Sequence, residues 1–327
     1  MDKYIQRFPE QLLDALRIIR EAQLPALPRV PKSVVITGMG GSGIGAVIVR
    51  TLISRELRIP FVAVNNYAVP GWCNADTLVI CSSYSGNTEE TLAAFRDAQS
   101  KGCMLACVTT GGQLYQEAQT LQIPIVLIPG GMPPRSCVGY SICGQLALLT
   151  HAGIISNSWP LHMEGVAAFL TDNGEEIRSQ ATQLAEMLQP YIPIIYSDAL
   201  LSGVAVRWKQ QLNENAKIHA FDHVIPEMNH NELVAYVDAD VRFCPIFLRH
   251  DYEHVRIQER MAYTMELLDG KTGSVCEVAA SGEGLWQQIF SLIHFGDWLS
   301  VALADIRKVD PIDITILEQL KSALGKA

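Results

Sequence analysis

The sequence predicts an α/β protein in which a doubly wound parallel sheet is used twice. Three observations carry that expectation. Short, nearly continuous apolar runs alternate with longer helix-like stretches along the chain, as strands buried on both faces do when crossover helices join them. The two segments 38-GMGGSGIGA and 82-SSYSGNTEETL each follow such a run and lead into a helix-like stretch. The length of 327 residues fits about two domains.

The elements follow in order. Ile5, Phe8, Leu12, Leu16 and Ile19 recur at helical spacing, which predicts an N-terminal surface helix. The runs 33-SVVIT, 61-FVAVN, 77-TLVIC, 104-MLACVT and 125-IVLI predict the strands of a first sheet. The second half repeats the scheme more loosely, with strands expected at 193-PIIY, 217-KIHAF, 242-RFCPIFL and 274-SVCEVA. Helices are expected around 174–188, 203–214, 252–268 and 284–305. The segment 151-HAGIISNSWP reads as a hinge, giving domains of 1–152 and 153–327.

Composition narrows the function classes. Apolar residues make up 49% and charged residues 18%, enough apolar material for two packed cores. The formal net charge of -9, with no Lys/Arg run, argues against a nucleic-acid partner. The N-terminus lacks the apolar core of a secretory signal, and no apolar stretch reads as long enough to span a bilayer. The eight cysteines are scattered without a CxxC pair and read as reduced core residues of a cytoplasmic protein.

The glycine-rich loop at 38–45 can turn sharply and present backbone N–H groups to an anion, with a helix N-terminus behind it. Gly41 and Ser42 are its candidate phosphate contacts. The loop also fits GxGxxG through Gly38, Gly40 and Gly43. A dinucleotide site, however, wants an acid at the end of the second strand, and Asn65 and Asn66 stand there. In the second loop Ser83, Ser85 and Thr88 can all donate to phosphate oxygens, and Thr88 with Glu89 also suits a helix cap. Such residues are often no more than caps. Two loops of this kind in one sheet would lie side by side at the carboxyl ends of the strands.

GMGGSG followed by SSYSGNTEET resembles the SIS phosphosugar-binding domain. With 131-GMPPRSCVGYS, 213-NENAK, 227-EMNHNE and 310-DP, nearly the whole chain resembles the bifunctional phosphoglucose/phosphomannose isomerase family. The resemblance implies two SIS-type, flavodoxin-like domains and interconversion of aldose and ketose 6-phosphates through an enediol, without a metal or redox cofactor. It implies that Glu214 of the ENAK segment is the base between C1 and C2, that His230 opens the sugar ring, and that Arg135 sits beside the enediolate. It also implies a lysine from the terminal helix over the ring. Lys321 is the candidate by position, although it also reads as a solvated lysine, and Thr315 lies near. Glu232 is an orienting partner for His230. The family further implies a homodimer whose ring-opening histidine enters from the neighbouring chain, acting on a small sugar phosphate with no nucleic acid or membrane partner.

Other readings remain beside this one. A different SIS-type isomerase, of amino-sugar or pentose phosphates, uses the same loops. A phosphosugar sensor would want a basic DNA-binding segment, and an amidotransferase would want an N-terminal Cys nucleophile; neither is seen. His219 with His223, and His250 with His254, have i, i+4 spacing that can bind metal on a helix. The first pair straddles a strand-like run, and the second reads as a solvated helix face.

Overall fold

Every strand expected in the first half forms. The computed structural model describes residues 1–325. In it β1 (Ser33–Thr37), β2 (Phe61–Val64), β3 (Thr77–Ser83), β4 (Met104–Thr109) and β5 (Ile125–Leu127) make a parallel sheet in the order β2-β1-β3-β4-β5. β3 pairs on both edges and is buried at every residue, which is why TLVICSS reads without polar alternation. Helices α3 (Gly40–Leu52), α4 (Glu89–Ser100) and α5 (Gly112–Thr120) are the crossovers. The chain leaves β1 for β2 on one side and returns to β3 on the other, so the switch point lies between β1 and β3. Phe95 of α4 and Leu114 of α5 pack against Val35, Val79, Cys81 and Cys107. Helix α6 (Val138–His151) comes close to the sheet through Gly144, where a Cβ would lie 2.9 Å from Val108 Cγ1. The expected N-terminal helix is split at Arg7 into α1 (Asp2–Gln6) and α2 (Phe8–Glu21), with Pro9 in the first turn of α2.

The second sheet is also parallel, with β6 (Ile192–Ser197), β7 (Phe221–Val224), β8 (Phe243–Arg249) and β9 (Cys276–Ala279) in the order β7-β6-β8-β9. Its helices are α8 (Ser202–Glu214), α9 (Val255–Leu268) and α10 (Gly284–Arg307). The strand expected at 217–221 starts at Phe221 instead. Lys217 takes φ +56° and the Ile218 N–H turns back to Leu212 O at 3.4 Å, so these residues finish α8 rather than begin a strand. The last helix is α11 (Thr315–Leu324).

The chain forms two compact units. The N-terminal unit comprises Gln6–Asp172 with Glu283–Gln287; the C-terminal unit comprises Met1–Ile5, Asn173–Gly282 and the chain from Gln288 on. The division therefore falls inside α7 (Trp159–Leu188) and not at the 152/153 boundary expected from the sequence. The segment 151–160 is the short connection from the last residue of α6 to the start of α7, with turns at 152–153 and 157–158, and Pro160 sits in the first turn of α7, where its missing N–H costs nothing. A second expectation also changes. Among the described residues α10 is long and apolar enough to cross a membrane, but 83% of its most apolar stretch is buried within the protein.

Candidate active site

In the N-terminal unit three segments converge at the switch point. The first runs from β1 into α3. A Cβ on Gly43 would lie 2.3 Å from Asn65 Nδ2 and 2.6 Å from Gly38 O, and one on Gly38 would lie 2.6 Å from Ser82 O. Gly40 has φ +51°. These contacts explain the glycine spacing without a dinucleotide. Asn65 holds the place of the missing acid and donates from Nδ2 to Gly38 O at 2.5 Å, so it braces the loop. Gly40 and Gly41 open the first turn of α3, where a helix leaves N–H groups without intrahelical acceptors, while the Ser42 N–H donates to Met39 O at 3.1 Å.

The second segment runs from β3 into α4. The hydroxyls of Ser83 and Thr88 pair at 2.9 Å, the Gly86 N–H donates to Ser83 Oγ at 3.2 Å, and the Asn87 N–H donates to Ser85 Oγ at 3.2 Å. Thr88 stands at the N-cap of α4 but makes no side-chain cap bond, because its hydroxyl faces Ser83. Ser83 is buried, Thr88 half-buried and Ser85 exposed. These hydroxyls knit the loop and stand at the positions from which they can turn to an incoming anion.

The third segment carries Arg135. It is buried in a 3₁₀ turn, Pro134–Ser136, and is no surface charge. Gln11 holds the turn, its Nε2 donating to Ser136 O at 2.8 Å and its Oε1 accepting from Gly139 N at 3.0 Å. The turn meets the first loop closely, since a Cβ on Gly41 would lie 3.2 Å from Pro134 O and 3.4 Å from Arg135 Cα. It meets the second loop through Tyr84, whose hydroxyl accepts from Met132 N at 3.0 Å. Gln145 of α6 bridges Ser42 O (3.2 Å) and Ser141 Oγ (3.0 Å), and Ser141 pairs with Ser82 at 3.2 Å. Gly41, Ser42, Ser83, Ser85, Thr88 and Arg135 thus belong to one end of one sheet.

Sequence reasoning passed over a fourth strut, the loop from β4 into α5. A Cβ on Gly86 would lie 1.8 Å from Gly111 O, and one on Gly112 would lie 2.4 Å from Ser85 O. Asn87 Oδ1 accepts from Gln113 N at 2.9 Å. The glycine pair in 109-TTGG was the available signal.

In the C-terminal unit the matching crevice, between β6 and β8, is filled by its own side chains. Asp198, just after β6, accepts from Leu201 N at 3.0 Å and lies 3.0 Å from His250 Nε2. Glu253 accepts from Arg249 Nε at 2.8 Å and from His250 N at 3.1 Å. His250 is therefore buried just after β8, and His254 caps α9 by accepting from Arg256 N. Neither lies on a solvated helix face, as the sequence suggested. Among the described residues no group of three or more His, Cys, Asp or Glu is arranged to hold a metal.

Glu214 ends α8, half-buried. The helix is lashed to α10 around it: Arg207 and Gln211 donate to Asp297 at 2.7 and 2.8 Å, Trp208 Nε1 donates to Leu292 O at 2.7 Å, and Asn215 Nδ2 donates to Ser300 Oγ at 2.9 Å. Lys217 Nζ donates to Glu214 O at 2.5 Å and to Asp313 O at 2.7 Å, and Arg307 Nε donates to Ala216 O at 3.0 Å. The ENAK turn is thus the bracket from which the final segment hangs. Asp313 caps α11 by accepting from Thr315 N and Oγ1. Lys321 lies further along α11, exposed.

His230 is exposed in a 3₁₀ turn, Glu227–His230, that follows β7. Glu214 instead precedes β7, so the two lie towards opposite ends of that strand, whose four residues span about 13 Å. Glu214 therefore lies on the amino-terminal side of β7, away from the carboxyl ends of the strands where open α/β sheets bind ligands. The Glu232 carboxylate is not bonded to the His230 ring. Its two carboxylate oxygens take the Tyr196 hydroxyl and His223 Nδ1, the latter at 2.5 Å.

Residues 177–324 match the family described as bacterial phospho-glucose isomerase C-terminal SIS domain. The chain is 34% identical to a bifunctional phosphoglucose/phosphomannose isomerase of Caldicellulosiruptor bescii over 100% of its own length and 99% of that protein's. It is 36% identical to the protein of that description from Thermoplasma acidophilum, over 90% of each chain. Among solved structures, the C-terminal domain of glucosamine-fructose-6-phosphate aminotransferase from Francisella tularensis superposes with a TM-score of 0.74 at 13% identity, over 95% of this chain and 97% of that one. That likeness speaks to the fold, which is the two-sheet SIS arrangement.

Proposed function

Because the chain belongs to the bifunctional phosphoglucose/phosphomannose isomerase family, we propose that it interconverts glucose 6-phosphate and mannose 6-phosphate with fructose 6-phosphate. The observation that carries this reading is the meeting of the 38–45, 82–91 and 131–136 segments at the β1/β3 switch point. It joins helix N-termini, hydroxyls and a buried guanidinium, the groups that suit a phosphate and a developing oxyanion.

The chemistry moves one hydrogen as a proton. Glu214 takes it from C2 of the open-chain aldose, the electron pair becomes the C1–C2 double bond of the enediol, and the proton returns to C1. Oxidation at C2 balances reduction at C1, so no electrons leave the substrate. Arg135 steadies the enediolate oxygens, His230 opens the ring by exchanging protons with its oxygens, and Lys321 covers the sugar. Gly41, Ser42, Ser83, Ser85 and Thr88 hold the phosphate.

The partner in this reading is a second copy of the chain. Glu214 and His230 lie towards opposite ends of β7, which favours a site that takes its base from one chain and its ring-opening histidine from the other. A two-fold dimer then has two such sites. We place this isomerase in the cytoplasm, between the hexose phosphates of glycolysis and gluconeogenesis. Coupled assays of glucose 6-phosphate and mannose 6-phosphate, each with added chelator, test the proposal. Turnover of both is expected, and turnover of neither would refute it.

A further inference from the structure

The residues around His230 are held one by one while its ring stays exposed. Asn229 Nδ2 donates to Thr264 Oγ1 of α9 at 3.0 Å. Asn231 Nδ2 donates to Glu227 Oε1 at 2.8 Å, and Asn231 Oδ1 accepts from Glu232 N at 2.6 Å. The Glu232 carboxylate is gripped from the sheet by the Tyr196 hydroxyl of β6 and His223 Nδ1 of β7. Tyr196 is itself paired with the Tyr236 hydroxyl at 2.7 Å. Burial holds both phenols in their neutral, donating form, with Tyr236 pushed up to about 12 and Tyr196 higher still. A surface histidine has no need of such fixing, since ordering an exposed turn costs entropy that only function or packing offsets. Met228 packs the turn into the core, and the polar contacts of Asn229, Asn231 and Glu232 add fixed points on either side of His230 beyond that packing.

We infer that Glu232, clamped by Tyr196 and His223, is the positioning residue that sets the place of the His230 imidazole. This rests on the assignment of His230 proposed above. Glu232 touches no substrate in this scheme; it acts only through the turn it anchors. The 229–232 segment has a foot on α9 through Asn229 and a foot on the sheet through Glu232. Removing one foot leaves the chain folded around it but lets the ring drift, and a displacement of about 1 Å costs roughly 100-fold in rate.

A double-mutant cycle separates this from a merely structural role. Glu232→Ala is expected to lower kcat about 10- to 100-fold with KM within about 3-fold, since the phosphate loops are untouched. Glu232→Gln, which retains an acceptor and the side-chain length, should recover most of that loss. His230→Ala should lower kcat about 100- to 10,000-fold, and adding Glu232→Ala or Glu232→Gln to it should change nothing beyond about 2-fold. If Glu232→Ala does not fold, Glu232→Asp, whose shorter side chain withdraws the carboxylate from Tyr196 and His223, carries the same comparison. Full activity in Glu232→Ala overturns the inference, as does an undiminished effect of either Glu232 substitution in the His230→Ala background. An active His230→Ala enzyme refutes the assignment of His230 itself, and the inference with it.

Discussion

Ser83 tests the phosphate cradle in a way the structure makes quantitative. Its side chain is 2% exposed, and its hydroxyl makes two bonds, one to Thr88 Oγ1 at 2.9 Å and one to the Gly86 N–H at 3.2 Å. The Gly86 N–H also reaches Ser83 O at 3.2 Å, so it keeps an acceptor when the hydroxyl goes. Ser83→Ala therefore costs about one net hydroxyl bond of stability, roughly 1 kcal/mol. Its effect on the ligand is larger, because a hydrogen bond to a charged phosphate contributes about 1.5–3 kcal/mol, or about 10- to 150-fold in Kd. Thr88→Ala breaks the same hydroxyl pair, so the double mutant should lose less stability than the two single losses added together. Its affinity should still fall below that of either single mutant. Calorimetric titration with inorganic phosphate and with fructose 6-phosphate, beside thermal melts, reads both quantities. Normal affinity for both ligands in the double mutant would refute the cradle.

Other expectations follow from the same structure. Gly86→Ala places a methyl 1.8 Å from Gly111 O at a residue with φ +67°; it should destabilise the N-terminal unit by about 2 kcal/mol or more and abolish phosphate protection in a melt. Glu214→Gln should fold and bind phosphate while isomerisation falls about 100- to 10,000-fold, with no C2 deuterium lost to water. Burial holds the His294 pKa down to about 4, where Trp298 Nε1 donates to its Nε2 at 3.0 Å. The unfolded imidazole takes up a proton near 6.5, so this stability is complete above pH 6.5 and falls as pH drops towards 4, by about 3 kcal/mol in all. Denaturant melts of the wild type and His294→Gln across that range should show a shallower slope in the variant.

β1, β3 and β4 were legible because they are buried on both faces and therefore write uninterrupted apolar runs, and the partly exposed edge strands β2 and β5 were legible from apolar content alone. β7 was not legible, since it is an edge strand that reads FDHV, with Phe221 exposed and Asp222 ion-paired to Lys209. The division inside α7 was hidden because one helix runs through it, past Asn173 and Gly174, with no break in the chain to mark it. Among candidate site residues, the loop positions 41, 42, 83, 85 and 88 stand out in the sequence by glycine and hydroxyl content. How their hydroxyls pair, and that Gln11, Asn65 and Gln145 brace them, depends on contacts across as many as 128 positions in sequence. Glu232 reads from the sequence as an orienting partner for His230. The carboxylate instead turns to the sheet, where Tyr196 and His223 wait with two donors.

The opposite placement of Glu214 and His230 leads to the most direct test of the account. Glu214→Gln and His230→Ala enzymes, each inactive alone, are mixed under conditions that let subunits exchange, and isomerase activity is followed while native mass spectrometry counts the mixed dimer. If the base and the ring-opening histidine come from different chains, each mixed dimer holds one site with both groups intact and one with neither. Activity should then rise with the mixed-dimer population to about one active site per mixed dimer. Each mutant mixed with itself should stay inactive. Mixed dimers that form and remain inactive would contradict the account, because every site would then lack one of the two groups.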